Sequence, residues 1–253
     1  MSHDETIIQQ FSLQAKPFAE VPGHSDALQL LIQCSGASVS DGVLDVACGP
    51  GLVACAFAEH VAHVTGIDIT PKMIDQAIKR QQERNLQNVT WQIGTVLPLP
   101  FPDAEFSIVV TRYSFHHMLD PMAVLLEMVR VCRPGGKVLV VDAVLPAEKV
   151  TAYNQMEKLR DPSHTRALSV EEMSHMIHAS GLGHIRTARY TVEMELETQL
   201  AASFPNPGDD EKIRQLVTSD IGHDSLGVGA RRVGSEIHFA YPILITVGEK
   251  VAE

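Results

Sequence analysis

Residues 43 to 145 of this chain alternate short runs rich in β-branched residues with amphipathic helical patterns. Such alternation is typical of βαβ units, in which parallel strands form one sheet and the connecting helices cover its faces. It therefore predicts an α/β fold, and it restricts the architecture more than the composition does. The predicted strands are residues 43 to 47, 64 to 69, 89 to 93, 106 to 111 and 137 to 143.

Proline positions mark where two of the connecting helices begin. Thr70 precedes Pro71 and Asp120 precedes Pro121, which is the pattern of a helix cap followed by proline at the first helical position. Before the fifth predicted strand, residues 134 to 136 read Pro-Gly-Gly, which predicts a tight turn.

The length of 253 residues fits one domain with additions at both ends of the sheet. We expect residues 1 to 40 to form a helical cover and residues 41 to 145 to form a cofactor-binding core. Residues 146 to 253 then complete the sheet. Within them, about 198 to 236 lack a clear period, and we expect an insertion there that shapes a substrate pocket.

The composition argues against several classes of partner. A formal net charge of −11 without a basic cluster opposes binding to nucleic acid. The sequence has no uncharged apolar run long enough to span a bilayer, and its N-terminus lacks a basic and then apolar leader, so we expect a cytoplasmic protein. The four cysteines show no CxxC spacing, which predicts reduced thiols and no metal site.

A glycine-containing loop follows the first predicted strand, in the string Leu44-Asp45-Val46-Ala47-Cys48-Gly49-Pro50-Gly51. Glycine lets a ligand approach the backbone closely, and the helix that follows offers free N–H groups at its N-terminus. Read from Gly49 to Ala54, the loop also fits the dinucleotide fingerprint. The glycines alone therefore do not decide whether the loop binds a nicotinamide dinucleotide or another cofactor.

Two acidic residues favour a different cofactor. A carboxylate at Asp45 would repel a pyrophosphate, whereas S-adenosylmethionine carries a sulfonium and an ammonium group and no phosphate. Asp68 ends the second predicted strand and is placed to accept hydrogen bonds from both ribose hydroxyls. Together the two acids favour S-adenosylmethionine.

The strings around these residues resemble a known family. Residues 44 to 51 are similar to motif I of the class I S-adenosylmethionine-dependent methyltransferases, and the similarity is dense over residues 41 to 145. Within the family, the chain resembles the ubiquinone/menaquinone-biosynthesis-like branch, whose members methylate small molecules. The other matching strings are Ile67 to Met73, Leu97 to Asp103, Ser114 to His117 and Arg130 to Gly136.

The resemblance implies a fold and a reaction. The fold would be a Rossmann-like, doubly wound sheet of seven strands whose last strand is antiparallel. The reaction would move the methyl group to an O, N, S or C nucleophile of a small-molecule acceptor and release S-adenosylhomocysteine. A homodimer is one assembly open to such a chain. One alternative is a protein of this fold that binds the cofactor but catalyses another rearrangement. A nicotinamide-dependent oxidoreductase is less favoured, because of Asp45 and because no hydride-transfer set is recognisable.

The resemblance also implies roles for individual residues. The methionine part would contact the first strand and its loop, the ribose and adenine the second strand, and the sulfonium the end of the fourth. Relatives carry an acid after the third strand, whereas here Thr95 and Val96 would meet the adenine. The implied cofactor-binding residues are Asp45, Ala47, Gly49, Gly51, Asp68, Ile69, Met73, Thr95, Val96, Thr111 and Arg112.

Candidate residues for catalysis and acceptor binding lie outside the glycine loop. His116 and His117 follow the fourth predicted strand, where an imidazole can act as a general base. They can equally pack inward or bond a carbonyl, and a soft or anionic nucleophile needs no base. Phe18 and the polar segment with His164 and Arg166 are candidates for the acceptor pocket, with core packing and a capped turn as the alternatives.

Overall fold

The structure, a computed structural model, describes residues 1–20, 25 and 27–251, apart from the side chains of residues 18–20. Its first part follows the predicted alternation of strands and helices. The elements are α1 (His3–Glu20), α2 (Leu28–Ser35), β1 (Gly42–Val46), α3 (Leu52–Ala58), β2 (His63–Asp68), α4 (Pro71–Glu83), β3 (Val89–Ile93), β4 (Phe106–Arg112), a short 3₁₀ helix (Phe115–His117) and α5 (Pro121–Val131).

The second part carries longer strands and further helices. Its elements are β5 (Cys132–Leu145), α6 (Val150–Arg160), β6 (Leu168–Ser169), α7 (Val170–Ala179), β7 (Leu182–Glu195), α8 (Leu196–Ser203), α9 (Asp209–Ser219), β8 (Arg231–Val233) and β9 (Glu236–Lys250).

The strands form one sheet in the order β3-β2-β1-β4-β5-β9-β7. Strands β1 to β5 are parallel, and β9 pairs antiparallel with both β5 and β7. The short strands β6 and β8 pair with β5 and β9. The predicted doubly wound, Rossmann-like sheet with an antiparallel last strand is therefore confirmed.

Both faces of the sheet are covered, which explains the continuous apolar runs in the sequence. Along β4, Ile108 and Val110 belong to the core under one face, and Val109 belongs to the core under the other. Helix α3 packs on the first face through Phe57, and α5 packs on the second through Met128. Alternate side chains of one strand thus pack against the helices on opposite faces of the sheet.

Two stretches differ in detail from the sequence prediction. Strand β5 begins at Cys132, before the predicted residue 137, because the Pro-Gly-Gly stretch lies inside the strand as an irregularity in its register with β4. There Gly135 has a φ of 71°. Residues 198 to 236, which show no clear period, contain most of α8, then α9 and β8. In α9 only Ile213 and Val217 supply the buried apolar side chains, so its periodic signal is weak.

Helix α1 lies against α4 and α8, as a cover formed by the N-terminus. Its polar side chains reach into the C-terminal half of the chain. Gln10 Nε2 donates to the Ser203 carbonyl at 2.6 Å, and Gln14 Nε2 donates to Asp161 Oδ2 at 2.9 Å. These bonds fix α1 to segments that lie 193 and 147 residues away in sequence. No helix in the described part of the chain is long and apolar enough to cross a membrane.

The single tryptophan of the sequence, Trp91, fills the space that two glycines leave open. It is the register partner of Gly66, where a Cβ atom would come within 2.5 Å of the indole ring. A Cβ at Gly51, in the loop before α3, would come within 2.7 Å of the same ring. The indole N–H donates to Gln81 Oε1 at 2.7 Å. The ring therefore supports the glycine loop from behind.

We expect Gly66→Ala to lower the free energy of unfolding by about 1 to 3 kcal/mol, because the new methyl group overlaps the Trp91 ring. Denaturant unfolding measures this. Gly42→Ala in β1 is the matched control, since nothing lies within 4 Å of a Cβ placed there. Equal stability of the two variants would contradict the packing of Trp91 against Gly66.

Candidate functional site

The carboxyl ends of β1, β2 and β4 surround a cavity of about 360 Å³. Strand β1 lies between β2 and β4, so successive strands continue away from it in opposite directions. Open α/β sheets bind ligands at such a reversal, because the loops that leave the two neighbouring strands diverge and leave a crevice. The cavity is called the cofactor cavity below.

The glycine loop takes a conformation that glycine favours. Gly49 and Gly51 have φ values of 51° and 74°, and Ala47 has a φ of 55°. Asp68 Oδ2 accepts a hydrogen bond from the Gly49 N–H at 2.9 Å, and Asp68 Oδ1 accepts one from the Thr70 N–H at 2.8 Å. The carboxylate at the end of β2 thus holds the loop after β1 and the start of α4 in place.

Asp45 lines the cavity although its side chain is almost fully buried. Its Oδ2 accepts a hydrogen bond from the Ala54 N–H, in the first turn of α3, at 2.9 Å. Burial raises the pKa of Asp45 to about 8, and the neighbouring charge of Asp68 adds to this rise, against the hydrogen bond from Ala54. A cationic ligand in the cavity would favour the ionised carboxylate and be attracted by it.

The polar atoms of the cavity fit a nucleoside with a cationic amino-acid tail. Thr70 Oγ1 is buried beside Asp68 and lacks a hydrogen-bond partner among the described residues, so it can bond a ligand hydroxyl. Each carboxylate oxygen of Asp68 has a second lone pair for a ribose hydroxyl. The Arg112 guanidinium lies in the cavity wall, where it can form an ion pair with a ligand carboxylate.

Most of the cofactor-binding residues implied by the sequence line this cavity, and two do not. Gly51 lies behind the loop against Trp91. Thr111 donates its hydroxyl to the Val46 carbonyl at 2.8 Å, which ties β4 to β1. The residues that the structure brings together are Asp45, Ala47, Gly49, Asp68, Ile69, Met73, Thr95, Val96 and Arg112.

A second, smaller cavity of about 70 Å³ adjoins the cofactor cavity, and we call it the inner chamber. It shares Phe11, Tyr113 and His117 with the cofactor cavity, so the two spaces meet at these side chains. Its wall combines α1, the 3₁₀ helix, β5, α6, α8 and β9. Of the segment 198 to 236, α8 supplies Gln199, Ala202 and Ser203 to this wall.

His116 forms a dyad with Asp142 in the wall of the inner chamber. Its Nδ1 lies 2.5 Å from Asp142 Oδ1, and Asp142 Oδ2 accepts a hydrogen bond from the Phe115 N–H at 2.8 Å. Burial lowers the pKa of His116, but the Asp142 carboxylate outweighs this and holds the pKa above its ordinary value. Because Nδ1 faces Asp142, and Nε2 has no partner among the described residues, a neutral His116 can accept a proton at Nε2.

His117 lies at the junction of the two cavities, and its pKa is lowered, whereas that of His116 is raised. Its Nδ1 is 3.1 Å from Ser163 Oγ, and that hydroxyl donates to Asp161 Oδ1 at 2.6 Å. Since the serine proton is directed to Asp161, Ser163 Oγ accepts from the Nδ1–H of His117. Burial lowers the pKa of His117, and the neighbouring His116 lowers it further. His117 is therefore a neutral imidazole with Nε2 as a hydrogen-bond acceptor.

The predicted acceptor-pocket residues are not brought to the inner chamber. His164 does not line the chamber but is buried behind His116, with the ring centres 5.5 Å apart and its Nε2 2.7 Å from Asn154 Oδ1. Arg166 pairs with Glu172 on the outer surface. The side chain of Phe18 lies outside the described residues. The same polar segment contributes at its beginning instead, because α6 ends at Arg160 and directs Arg160 and Asp161 inward.

The sequence also carries signals for residues that the motifs missed. Asp142 is the single charged residue in the apolar run from Val138 to Leu145, and a buried strand rarely holds an acid without a function or a partner. Glu157 and Gln199 had no such signal, because they lie on helices with ordinary polar positions. No group of His, Cys, Asp and Glu in the described residues could hold a metal ion, and the cysteines there are free.

Comparisons with known proteins agree with this geometry. The profile of the methyltransferase domain family matches residues 44–140. The uncharacterized methyltransferase YcgJ of Bacillus subtilis is 31% identical over 242 residues, which cover 93% of this chain and 93% of YcgJ. The demethylmenaquinone methyltransferase of Listeria welshimeri is 36% identical over 107 residues, covering 41% of this chain and 45% of that protein.

Solved structures extend the similarity to three dimensions. The crystal structure of YcgJ superposes with a TM-score of 0.83 at 27% identity, covering 91% of this chain and 100% of the other. A putative methyltransferase of Bacillus halodurans gives 0.82 at 26% identity, with 90% and 100% covered. Haemonchus contortus phosphoethanolamine N-methyltransferase 2, solved with S-adenosyl-L-methionine, gives 0.71 at 15% identity, with 100% and 60% covered, and shares the fold.

The similarity to YcgJ runs along nearly the whole chain, and so it includes both the sheet and the helices that enclose the two cavities. The cofactor cavity offers carboxylates to hydroxyl and cationic groups, in agreement with a nucleoside sulfonium ligand. The chain therefore belongs to the class I S-adenosylmethionine-dependent methyltransferases, and S-adenosylmethionine is its cofactor.

Proposed function

We propose that this enzyme methylates a small-molecule acceptor by in-line displacement, with the acceptor's reacting group held at the inner chamber. The observation that carries this proposal is the junction at His117, where the inner chamber meets the cofactor cavity. An acceptor that enters there would reach the cofactor from a side that the protein encloses. The chamber volume of about 70 Å³ supports a group of a few heavy atoms.

The cofactor is proposed to be held mainly by the first two strands. Asp68 would accept hydrogen bonds from the ribose hydroxyls, Asp45 would face the cationic methionine part, and Arg112 would bind its carboxylate. Ile69, Thr95 and Val96 would surround the adenine. Once bound, the cofactor supplies an electrophilic methyl group on a sulfonium. Gly51 and Thr111 act from behind the site by fixing the loop and the β1 and β4 strands.

Alignment and exclusion of water are proposed to supply most of the rate enhancement. Helix α1 closes one side of both cavities through Phe11, whose ring packs edge-on against His117 with the ring centres 4.9 Å apart. An enclosed site holds the nucleophile in the reactive orientation and keeps competing water away.

His116 is proposed as the general base for acceptors that lose a proton. Asp142 orients the ring through Nδ1 and stabilises the imidazolium that forms when Nε2 accepts a proton. His117 is proposed as a positioning residue, because its lowered pKa keeps it neutral and its Nε2 can accept a hydrogen bond from the acceptor.

The same features support a small molecule in preference to a nucleic acid, and the similarity to a bacterial methyltransferase supports a cytoplasmic site of action. The chain has a formal net charge of −11, which repels a polyanion, and the wall of the inner chamber includes Asp142, Glu157 and Asp161. A narrow, acidic and enclosed chamber suits one group of a metabolite.

Turnover tests the proposed reaction directly. The enzyme, S-adenosylmethionine and a panel of small amines, phenols, thiols and carbon acids are expected to give one S-adenosylhomocysteine for each acceptor that gains a methyl group, measured by mass spectrometry. With such an acceptor, His116→Ala should lower kcat by about 100-fold or more, whereas His175→Ala on the exposed face of α7 should not. Cofactor that binds but is never consumed would overturn methyl transfer.

The pH dependence of kcat supplies a further readout of the same variant. His116 accepts a proton only when neutral, so kcat should rise with pH and reach half its limit above about 6.5, because Asp142 raises the pKa of His116. His116→Ala should lose this rise. A rise that persists in the variant would exclude His116 as the base.

Asp68→Ala is expected to weaken S-adenosylhomocysteine binding by about 1 to 3 kcal/mol, because two charge-assisted hydrogen bonds to the ribose are lost. Calorimetry measures the affinity, and thermal melting checks the fold. Asp103→Ala, an exposed carboxylate away from the cavity, is the matched control. Should Asp68→Ala unfold, Asp68→Asn keeps the shape and tests the charge. Unchanged affinity in the folded variant would remove Asp68 from the site.

Cofactor binding is expected to release protons from Asp45. The pKa of about 8 leaves this carboxyl mostly protonated at pH 6.5, and the cationic cofactor lowers the pKa again, so affinity should rise with pH up to about 8. Calorimetry in buffers of different ionisation enthalpy should detect up to about one proton released at pH 6.5. Asp45→Asn should abolish that release. The same release in wild type and variant would show that another group titrates.

A further inference from the structure

The inner chamber contains a buried carboxylate that forms no salt bridge with any described residue. Glu157 Oε2 accepts from Arg160 Nε at 2.8 Å and lies 2.7 Å from Arg160 Nη2, so these two charges form a pair. Asp142 pairs with His116. Asp161 is as deeply buried, yet no Lys, Arg or His nitrogen lies within salt-bridge distance of it among the described residues.

The partners of Asp161 are neutral hydrogen-bond donors. Ser163 donates through its N–H at 2.8 Å and its hydroxyl at 2.6 Å, and Gln14 donates through Nε2 at 2.9 Å. Burial raises the pKa of Asp161, but the nearby Arg160 guanidinium and these hydrogen bonds hold it below its ordinary value. Asp161 is therefore ionised at neutral pH. A buried carboxylate without a salt bridge is costly, so this position favours a cation in the chamber.

A second, independent observation points to a ligand with hydrogens to donate. Gln199 is 6% exposed and lines the chamber, and its Oε1 has no hydrogen-bond partner among the described residues. Its Nε2 lies 3.4 Å from the Tyr241 hydroxyl, which itself donates to Glu157 Oε1 at 3.1 Å. The free atom of Gln199 is thus an acceptor, and a bound N–H group would satisfy it.

Aromatic rings complete the wall. Phe11, Tyr153 and Tyr241 line the chamber, and the faces of such rings attract cations. Tyr113 also lines it, but the Arg112 guanidinium already covers that ring, 4.1 Å from its centre. The wall therefore combines ionised carboxyl groups, a free amide oxygen and three aromatic rings around a space of about 70 Å³.

We propose that the inner chamber binds the amino group of the acceptor as an ammonium ion, and that the enzyme is an N-methyltransferase of a small alkylamine. This inference rests on the proposed methyl transfer and adds the class of acceptor. The ammonium would lie near Asp161, donate to Gln199 Oε1 and face the aromatic rings. The volume admits the amino group and its nearest carbons, with the nitrogen directed toward the junction at His117, where it faces the cofactor cavity.

The chemistry of the step balances with the residues present. The ammonium gives a proton to Nε2 of neutral His116, and Asp142 stabilises the imidazolium. The nitrogen lone pair then forms the new N–C bond, while the electrons of the broken S–C bond stay on sulfur as the neutral thioether. The product is a methylated ammonium ion, and His116 returns its proton to solvent. The chamber therefore keeps one bound cation on the acceptor before and after the transfer.

The charged groups in the chamber wall are consistent with this assignment, and its other titratable groups, His117 and the tyrosines, are neutral because burial lowers the pKa of the former and raises the pKa of the latter. The negative groups are Asp142 on β5, Glu157 on α6 and Asp161 after α6. The cations are Arg160, paired with Glu157, and His116 in its protonated form, and the latter must lose its proton before it can act as a base. When His116 is neutral, two negative charges remain without a cation, and one ammonium offsets half of this excess.

Binding measurements test the proposal without turnover. The probes are n-butylammonium chloride, n-butanol and sodium butyrate, which have chains of the same length and head groups of different charge. Each is titrated into enzyme saturated with S-adenosylhomocysteine at pH 8 and constant ionic strength, with calorimetry or the shift in melting temperature as the readout. We expect n-butylammonium to bind at least about tenfold more tightly than n-butanol, and butyrate to bind most weakly.

The decisive variant is Asp161→Asn, which removes the charge but keeps an oxygen for Ser163, and the Gln14 amide can rotate to pair with the new NH₂ group. It should weaken n-butylammonium about tenfold or more and leave n-butanol unchanged. Asp209→Asn, a largely buried carboxylate on α9 that pairs with Lys212, is the matched control and should change neither. Equal binding of the three probes, or tightest binding of butyrate, overturns the proposal.

A second pair of variants keeps the proposal testable if Asp161→Asn does not fold. Tyr153→Phe retains the aromatic ring and should bind n-butylammonium as the wild type does, whereas Tyr153→Leu should bind it severalfold more weakly. The affinity for S-adenosylhomocysteine separates this test from the proposed function. If S-adenosylhomocysteine binds and n-butylammonium does not bind more tightly than n-butanol, the amine assignment alone is wrong.

Discussion

The hydrogen bonds that Asp68 accepts from Gly49 and Thr70 are the constraint on which the cofactor cavity depends. They join the loop after β1 to the start of α4, across the carboxyl ends of two neighbouring strands. The loop could not lie so close to β2 without glycine, because Trp91 occupies the space behind Gly66 and Gly51. A carboxylate that organises the backbone in this way keeps lone pairs for ligand hydroxyls, so the group that shapes the cavity is also placed to bind within it.

Buried carboxylates give the two cavities a common electrostatic character. Asp45 is held at the N-terminus of α3, where burial raises its pKa to about 8, whereas Asp142 and Asp161 have lowered pKa values because imidazole or guanidinium groups are near. A cation is favoured at both places for the same physical reason, since it removes part of the cost of burying negative charge. In the cofactor cavity that cation is supplied by S-adenosylmethionine. In the inner chamber the proposed ammonium of the acceptor takes this role.

The inner chamber is made by segments that are distant in sequence. Phe11 and Gln14 come from α1, Glu157 and Arg160 from α6, Gln199 from α8 and Tyr241 from β9. They meet because β9 returns antiparallel beside β5 and brings β7 and α8 to the same edge of the molecule as the 3₁₀ helix. The core sheet forms the cofactor cavity, and in the proposed function the segments around the inner chamber decide which acceptor can approach it. Differences in α1, α6 and α8 can therefore change the acceptor while the cofactor cavity is kept.

The sequence by itself determined the parallel core, the cofactor and most of the residues that line the cofactor cavity, because each lies within a short string at the end of a strand. The glycine spacing alone fits two kinds of cofactor, and the two acids favour S-adenosylmethionine. Alternating apolar runs specify strands buried on two faces, and Asp45 and Asp68 each end a strand beside a glycine loop or a proline-started helix. Only the tertiary structure decided which residues form the inner chamber. His164 and Arg166 are as polar as Arg160 and Asp161, and nothing local in the sequence distinguishes them, since the end of α6 decides which of them point inward. Contacts such as Gln14 with Asp161 and Tyr241 with Glu157 depend on how distant segments pack, and local sequence patterns carry no information about packing at that range.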